Sequence, residues 1–357
     1  MDKITLVDVT LRDGNHTVRH QFSPELVSRV ASGLDAAGVD IIEVGHGDGA
    51  GGGSIHVGRA VATDRQWIEA AVSGVKRAKI SLFLIPGFGT MPDLEQAAEL
   101  GVKVARVGAH CTEADITEQH IRLARDLGMF TAGYLISFGM TTPQRLAEEA
   151  KKMEFYGAEY INLAESQGHL VPHQVKECVA AVCRAVNIPV GFHPHNNLGL
   201  AIGNSLAAIE AGATFVDGSL KGFGGGAGNA QTEVLVGALK RGGFPIGVDL
   251  FGIMDAADIL VAELNKDPNL AKVPMPIIDN DSLLMGYANV YGGYVQPIKR
   301  AAQIYGCDPR QLVMRLGERK VVAAQEDMVI EEAVLLANQA KGRPAYAKIG
   351  SLPDDEI

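Results

Sequence analysis

The chain has 357 residues, 47% of them hydrophobic, and a formal net charge of −10. This length is enough for one large domain with a buried core and a second, smaller domain. No basic stripe offsets the acidic balance, which argues against nucleic acid or a membrane surface as a partner.

Signals for export and for disulfide bonding are missing from the sequence. No apolar run reaches the roughly 18 to 20 residues that span a bilayer, and the N-terminus enters a strand-like run without the apolar segment of a signal peptide. The four cysteines have no C-x-x-C spacing, which favours reduced thiols over a disulfide framework. We therefore expect a cytoplasmic protein.

Short apolar runs alternate with amphipathic stretches over residues 1–245. The runs that we predict as strands are Ile4–Val9, Asp40–Val44, Ile80–Ile85, Lys103–Val107, Phe130–Ile136, Glu159–Leu163, Pro189–His193 and Thr214–Asp217. Helical periodicity predicts a helix after each of them. About eight strand–helix units in this order indicate an α/β protein with a closed (β/α)8 TIM barrel, and an open doubly wound sheet is the alternative.

The alternation stops after Gly243, and the rest of the chain is mainly helical in pattern. We predict a barrel domain over residues 1–245 and a smaller α-helical domain over residues 246–342. Residues 343–357 read as a tail, because termini without apolar periodicity are seldom tied down.

Two histidines at the end of the seventh strand indicate a metal site. His193 and His195 share one face of that strand, since alternate side chains point to the same side, so their imidazoles can converge on one ion. In a parallel barrel the active site lies at the carboxyl ends of the strands. Asp13 follows the first strand and is the candidate third ligand. An N-cap or an ion pair with Arg12 is the alternative role for Asp13.

Three further features lie at strand ends. Glu43 is a candidate partner that holds Arg12, or else a plain salt bridge. His16 lies in the loop of Asp13 and is a candidate base rather than a surface histidine. The glycine-rich loop 224–229 lacks the Lys-Ser/Thr pair of a P-loop, so we interpret it as a close-approach loop beside the metal, with phosphate binding as the alternative.

These residues resemble those of a known enzyme group. The metal-dependent barrel lyases, which include isopropylmalate synthase and hydroxymethylglutaryl-CoA lyase, resemble this chain at Thr10–Gly14, Glu43, His193-x-His195 and Gly226-x-Gly228-Asn229. Within that group the 4-hydroxy-2-oxovalerate aldolases resemble it further at 46–49, 110–115, 286–291 and 325–328. The resemblance covers the chain from the first strand to about residue 340.

The resemblance implies a metal ion and a reaction. The ion is a divalent one, manganese first and magnesium or cobalt as alternatives, held by Asp13, His193 and His195. The reaction is that of a class II aldolase, which cleaves a 4-hydroxy-2-oxo acid into pyruvate and an aldehyde or runs the synthesis. Aromatic hydrocarbon catabolism is the implied setting.

The resemblance also implies roles for individual side chains. Arg12 would donate to the enolate oxygen, and His16 would take the proton from the C4 hydroxyl, since an imidazole suits proton transfer near neutral pH. Tyr291, from the helical domain, would orient the substrate or relay a proton. Glu43 and Asn229 would support the ion or bind the substrate.

Departures from the family pattern concern the aldehyde. Relatives usually carry an aromatic-Gly-Phe segment at Val57-Gly58-Arg59, Asp-Ser-x-Gly at Glu165-Ser166-Gln167-Gly168, and a histidine at Gly139. We predict a larger or more polar aldehyde, because Gly139 removes bulk and Arg59 can meet an anionic group. Phe83 and Ile85 are candidate walls of the aldehyde pocket, and Ser166 is a further candidate for substrate binding.

Partners of two kinds follow from the resemblance. Small molecules are the 2-oxo acid and the aldehyde. The protein partner is an acylating aldehyde dehydrogenase that receives the aldehyde through a tunnel, although Ala323-Ala324 stands where relatives tend to have Gly-Gly and two methyl groups narrow a passage. A homo-oligomer is also compatible with the sequence.

Three other functions remain as alternatives. An acyl-CoA condensing or cleaving enzyme of the isopropylmalate synthase or hydroxymethylglutaryl-CoA lyase type would use the same metal ligands. A non-haem iron oxygenase also binds its ion with two histidines and a carboxylate, but it leaves Arg12 and Tyr291 without a role. A metal-binding scaffold without turnover has no need of Arg12, His16 and Tyr291.

Overall fold

A computed structural model describes residues 3–55 and 57–340 of the chain. The predicted tail, 343–357, lies outside the described residues. The described chain divides into two compact units between Ile278 and Asp279.

The first unit is built on a barrel of parallel strands. Its strands are β1 (Thr5–Leu11), β2 (Ile41–Val44), β3 (Lys79–Leu84), β4 (Val104–His110), β5 (Phe130–Ile136), β6 (Tyr160–Glu165), β7 (Val190–Pro194) and β8 (Phe215–Gly218). They pair in sequence order, and β8 pairs with β1 to close the barrel. The predicted TIM barrel is confirmed, and the open doubly wound sheet is excluded because that sheet has two free edges.

Helices surround the barrel and follow its strands in turn. They are α1 (Pro24–Ala36), α2 (Asp64–Gly74), α3 (Met91–Glu99), α4 (Glu118–Asp126), α5 (Pro143–Tyr156), α6 (Pro172–Ala185), α7 (Ala201–Glu210) and α8 (Thr232–Arg241). Local sequence determines where several of them begin. The Ser23 hydroxyl accepts a hydrogen bond from the Leu26 amide and Pro24 occupies the first turn of α1, an arrangement that favours a helix start.

The barrel interior is arranged in layers, since alternate residues of each strand point inward. The lower layer is apolar and contains Val7, Val9, Ile41, Val104, Phe130 and Phe215. Glu43, Arg106 and Asp217 each lie two positions after a lower-layer residue on the same strand and form a charged layer above it. The upper layer is again apolar and contains Phe83, Ile85, Tyr134, Ile136 and Ala164. A charged layer is thus enclosed in the barrel, next to its carboxyl-terminal mouth.

One more helix, α9 (Leu250–Leu264), belongs to the first unit. It packs on α1, where Gly33 lies against Ile259 and Ala256. The compact unit that contains the barrel therefore extends to Ile278, and the domain boundary at residue 245 stays a prediction.

The second unit is helical. Its helices are α10 (Asn280–Tyr287), α11 (Val295–Tyr305), α12 (Pro309–Glu318) and α13 (Glu326–Ala340). They enclose a small apolar core of their own, which includes Met285, Val290, Tyr294, Ile298, Leu312 and Leu316. The predicted helical C-terminal region is confirmed. Among the described helices of both units, none is long and apolar enough to cross a membrane.

Candidate active site

The structure brings the three predicted metal ligands together at the barrel mouth. Asp13 opens a short 3₁₀ helix, Asp13–His16, directly after β1, and its Oδ2 atom lies 3.9 Å from Nε2 of His195. The rings of His193 and His195 lie 5.1 Å apart. All three residues offer a ligand atom within 4.8 Å of the others, a separation that one divalent ion can bridge.

The charge states of these side chains suit a divalent cation. Burial lowers the pKa of His195 to about 4, so its imidazole is neutral at pH 7 and keeps a lone pair for an ion. Burial opposes ionisation of Asp13, but the Arg12 guanidinium and then His195 hold the pKa of that carboxyl well below its usual range. A carboxylate with two imidazoles is a donor set that transition-metal ions prefer.

An unpaired acceptor lies beside this donor set. The Asn229 amide donates from Nδ2 to Asp13 Oδ2 at 2.5 Å and to the Phe223 carbonyl at 3.0 Å. Its Oδ1 is buried and has no hydrogen-bond partner within the described residues. Buried acceptors are rarely left unpaired, so the residues present fit an ion or its water at this position.

Asp217 fixes the orientation of His193. The Nδ1 atom of His193 lies 2.9 Å from Asp217 Oδ2. An ionised carboxylate can only accept, so Nδ1 is the donor of this hydrogen bond and Nε2 is the ring nitrogen that remains for an ion.

Arg12 is held by two carboxylates and a carbonyl. Its Nε donates to Glu43 Oε1 at 2.6 Å, and its Nη1 donates to Asp13 Oδ1 at 2.8 Å and to the Gly47 carbonyl at 3.1 Å. The guanidinium carbon also lies 4.7 Å from the centre of the Phe83 ring. The structure thus pairs Glu43 with Arg12, and the guanidinium is fixed next to the Asp13 carboxylate.

His16 lies at the end of the same 3₁₀ helix and is more accessible than the ligands. Its side chain is 24% exposed, whereas those of Asp13 and His193 are 6% and 2% exposed. Its Nε2 lies 4.0 Å from Asp48 Oδ1, and its ring packs edge-on against His20. Together with His20 and Asp48 it forms a second group that could hold an ion. A base that meets substrate needs this kind of access.

Phe83 forms an apolar wall beside Arg12. Its ring packs edge-on against Tyr134 with 4.9 Å between the ring centres. Gly108 leaves room for it, because a Cβ atom there would lie 2.8 Å from the ring. Ile85 packs against the same cluster. A substrate atom that contacts Arg12 therefore has an aromatic surface on one side.

Comparison with known proteins gives the family. Residues 3–260 match the family described as HMGL-like, and residues 276–338 match the DmpG-like communication domain. The 4-hydroxy-2-oxovalerate aldolase of Carboxydothermus hydrogenoformans is 49% identical over 95% of this chain and 99% of its own. That of Moorella thermoacetica is 48% identical over 95% and 98%. The chain belongs to the 4-hydroxy-2-oxovalerate aldolase family. This confirms the resemblance seen in the sequence and makes the protein a carbon–carbon lyase.

Solved structures agree on the fold of this aldolase. The N-terminal domain of a putative aldolase from Bacteroides vulgatus has a TM-score of 0.67 and 21% identity, and covers 82% of this chain and 95% of its own. The carboxyl transferase domain of Rhizobium etli pyruvate carboxylase, solved with 3-hydroxypyruvate, has a TM-score of 0.78 and 19% identity, with coverage of 99% and 63%. At these identities the likeness shows the fold alone.

The space beside Gly139 is occupied by another side chain of the protein. A Cβ atom on Gly139 would lie 2.2 Å from Cε1 of His169, so the His169 imidazole occupies the volume where we predicted an opening. His169 is in turn held by Glu165, whose Oε1 accepts a hydrogen bond from the backbone amide of His169 at 3.1 Å. The prediction that Gly139 removes bulk is therefore wrong, because a residue from the next loop takes up that space.

Ser166 and Arg59 lie in the two other segments that depart from the family pattern. Ser166 accepts a hydrogen bond through Oγ from the amide of Ser137, at 3.0 Å. Ser137 has a left-handed backbone, with φ of 57°, so Ser166 stabilises a strained turn after β5. Arg59 is exposed in the loop that follows β2. Substrate binding by Ser166 and Arg59 stays a prediction.

Tyr291 lies in the second unit, directly before a short 3₁₀ helix, Gly292–Tyr294. Its ring packs perpendicular to that of Tyr294, with 6.0 Å between the ring centres. Its role in the reaction stays a prediction.

Sequence reasoning missed Arg106. This side chain is completely buried in the barrel, where Nη1 donates to Glu43 Oε2 at 2.9 Å and Nη2 donates to Asp217 Oδ2 at 2.5 Å. The available signal was its spacing, since a charged residue in the middle of an apolar strand rarely occurs without a buried partner.

Proposed function

We propose that the protein is a divalent-metal-dependent aldolase that cleaves a 4-hydroxy-2-oxo acid into pyruvate and an aldehyde, or forms the acid from them. One observation carries the proposal. Asp13, His193 and His195 converge beside the guanidinium of Arg12, and His16 stands accessible in the same loop. The names of the relatives support the substrate class.

The ion that we propose is manganese, with magnesium or cobalt as alternatives. Bound by Asp13, His193 and His195, it would act as a Lewis acid toward the carboxylate and 2-keto oxygens of the substrate. A donor set of two imidazole nitrogens and one carboxylate oxygen suits a transition-metal ion better than a set of oxygen atoms alone does.

Arg12 and His16 divide the work of the retro-aldol step. His16 accepts the proton of the C4 hydroxyl, and the C3–C4 bond breaks with its electron pair passing to the 2-keto oxygen as an enolate. Arg12 donates to that oxygen as its negative charge develops, and its bonds to Glu43 and Asp13 hold it there before the charge appears. The aldehyde leaves, and protonation at C3 yields pyruvate. We propose that Tyr291 orients the substrate or relays the returning proton.

A substrate panel tests this function. We expect the manganese-loaded protein to release pyruvate from 4-hydroxy-2-oxo acids, measured with a coupled lactate dehydrogenase assay. The same preparation is mixed with acetyl-CoA and a 2-oxo acid, and free thiol is measured. Thiol release without pyruvate release would overturn the aldolase proposal in favour of an acyl-CoA condensing enzyme.

The aldehyde pocket should respond to the size of Phe83. We propose that Phe83 and Ile85 line it, and that Arg59 favours a larger or more polar aldehyde. Phe83→Leu should raise kcat/KM for branched or longer aldehyde portions relative to the acetaldehyde adduct by about 10-fold, since one methylene changes discrimination by roughly that factor. Phe138→Leu, in the core outside the barrel, is the matched control. An unchanged ratio in Phe83→Leu would remove Phe83 from the pocket.

The match of residues 276–338 to a communication domain supports a partner. We propose that this unit binds an acylating aldehyde dehydrogenase, while homo-oligomer formation and a cytoplasmic location stay predictions from the sequence. Ala324 has a left-handed backbone, with φ of 70°, a conformation that favours the glycine of relatives.

Gel filtration tests this association. We expect the aldolase and the dehydrogenase to co-elute. The Ala324→Gly variant should co-elute to the same extent, because the substitution relaxes the backbone and removes only a methyl group. Separate elution of the wild-type pair at micromolar concentrations would contradict the partnership.

A further inference from the structure

Six charged or polar side chains form one continuous chain of hydrogen bonds in the barrel mouth. We call it the ion-pair chain, and its members in order are Asp13, Arg12, Glu43, Arg106, Asp217 and His193. Every link is between 2.5 and 2.9 Å. The chain begins at one candidate metal ligand and ends at another.

Arg106 is the central link of the ion-pair chain. It is 0% exposed, and its guanidinium carbon lies 4.8 Å from the centre of the Tyr134 ring. Its two terminal nitrogens go to different carboxylates, Glu43 on β2 and Asp217 on β8. Each of these carboxylates also contacts the site itself, since Glu43 holds Arg12 through its other oxygen and Asp217 holds His193 through the same Oδ2 that accepts from Arg106.

The formal charges show why the middle link matters. The ion-pair chain contains three carboxylates and two guanidinium groups, so these five side chains carry one formal net negative charge. Without Arg106, Asp217 would be a buried carboxylate with no guanidinium partner, and Glu43 would keep only Arg12, which is costly in a low-dielectric interior. Asp217 and Glu43 would each lose a contact that fixes the carboxylate orienting His193 and Arg12.

We propose that Arg106 is a positioning residue of the metal site, which orients the ligand His193 through Asp217 and the substrate-binding Arg12 through Glu43. The effect of Arg106 on the ligand His193 can be measured without substrate. Its effect on Arg12 rests on the proposed function.

The planar fork of arginine is essential to this role. A guanidinium presents separate donors to two carboxylates at fixed angles, whereas a lysine ammonium is a single point charge on a flexible stem. Arg106→Lys therefore keeps the charge and loses the bridge, and Arg106→Met loses both. If charge alone mattered, Arg106→Lys would behave like the wild type.

The test measures Mn²⁺ binding to the full-length protein by electron paramagnetic resonance of the free ion, with no substrate present. We expect Arg106→Lys to weaken Mn²⁺ affinity by about 10- to 100-fold, the usual effect of losing the support of a ligand. Arg145→Lys is the control, because Arg145 pairs with the buried Glu149 outside the barrel interior. Wild-type Mn²⁺ affinity in a folded Arg106→Lys protein would overturn the proposal.

Two further variants test the two carboxylate partners of Arg106 separately. We expect Asp217→Asn to weaken Mn²⁺ binding, and Glu43→Gln to leave Mn²⁺ binding near wild type while raising KM for the 2-oxo acid. The melting temperature of the metal-free variants shows whether each one is folded. Equal losses of Mn²⁺ affinity in both variants would contradict the proposal that Asp217 supports the ligand His193 while Glu43 supports Arg12. Mn²⁺ binding without any pyruvate release would overturn the aldolase proposal. The measured effect of Arg106 on Mn²⁺ affinity would still hold.

Discussion

Replacing His193 with alanine should remove nearly all pyruvate release. The substitution deletes one of three ligand side chains and leaves Asp217 without its imidazole partner. Loss of the Lewis acid costs several kcal/mol of transition-state stabilisation, so we expect kcat/KM to fall by on the order of 10³-fold or more. The measurement is pyruvate release over a range of substrate concentrations at a fixed, low Mn²⁺ concentration.

The matched control for this substitution is His173→Ala. His173 is exposed on α6, on the outer surface of the barrel, and its loss should leave kcat/KM unchanged. Activity in His193→Ala within about 10-fold of the wild type, at the same Mn²⁺ concentration, would show that His193 is not a ligand in the reaction.

Replacing His16 with asparagine should slow turnover without weakening the metal site. General-base catalysis typically contributes about 10²- to 10⁴-fold, so we expect kcat to fall within that range. Mn²⁺ affinity should stay near wild type, since Asp13, His193 and His195 are untouched. The two quantities are measured on one preparation, by pyruvate release at saturating Mn²⁺ and by titration of free Mn²⁺.

The matched control is His120→Asn, on the outer helix α4, which should keep both kcat and Mn²⁺ affinity. Unchanged kcat in His16→Asn would exclude it as the base. A loss of bound Mn²⁺ in His16→Asn would instead assign His16 to the second group that could hold an ion, with His20 and Asp48.

The barrel was predictable because its signals are local. Apolar runs of strand length alternate with helical periodicity, and a residue such as Ser23 marks the start of a helix. The candidate ligands were found for a related reason. His193 and His195 share a face by strand alternation, and Asp13 lies at the end of another strand, so the topology alone brings them to one mouth.

The rest depends on registers between strands that no local pattern contains. Arg106 meets Glu43 and Asp217 because β4, β2 and β8 enclose one interior at matching heights. The volume beside Gly139 is filled by His169, a residue from a different loop. A residue-by-residue comparison with a family pattern records the loss of a side chain, but it does not show which neighbour replaces it.

The measurement that tests the central claim most directly follows pyruvate release as Mn²⁺ is returned to metal-free wild-type protein. The substrate is a 4-hydroxy-2-oxo acid, and bound Mn²⁺ is measured in the same samples. We expect no release after chelation, and release that rises in proportion to bound Mn²⁺ until one ion per chain is bound. Release that persists after chelation, or a fully occupied site that yields no pyruvate, would contradict a metal-dependent aldolase at Asp13, His193 and His195.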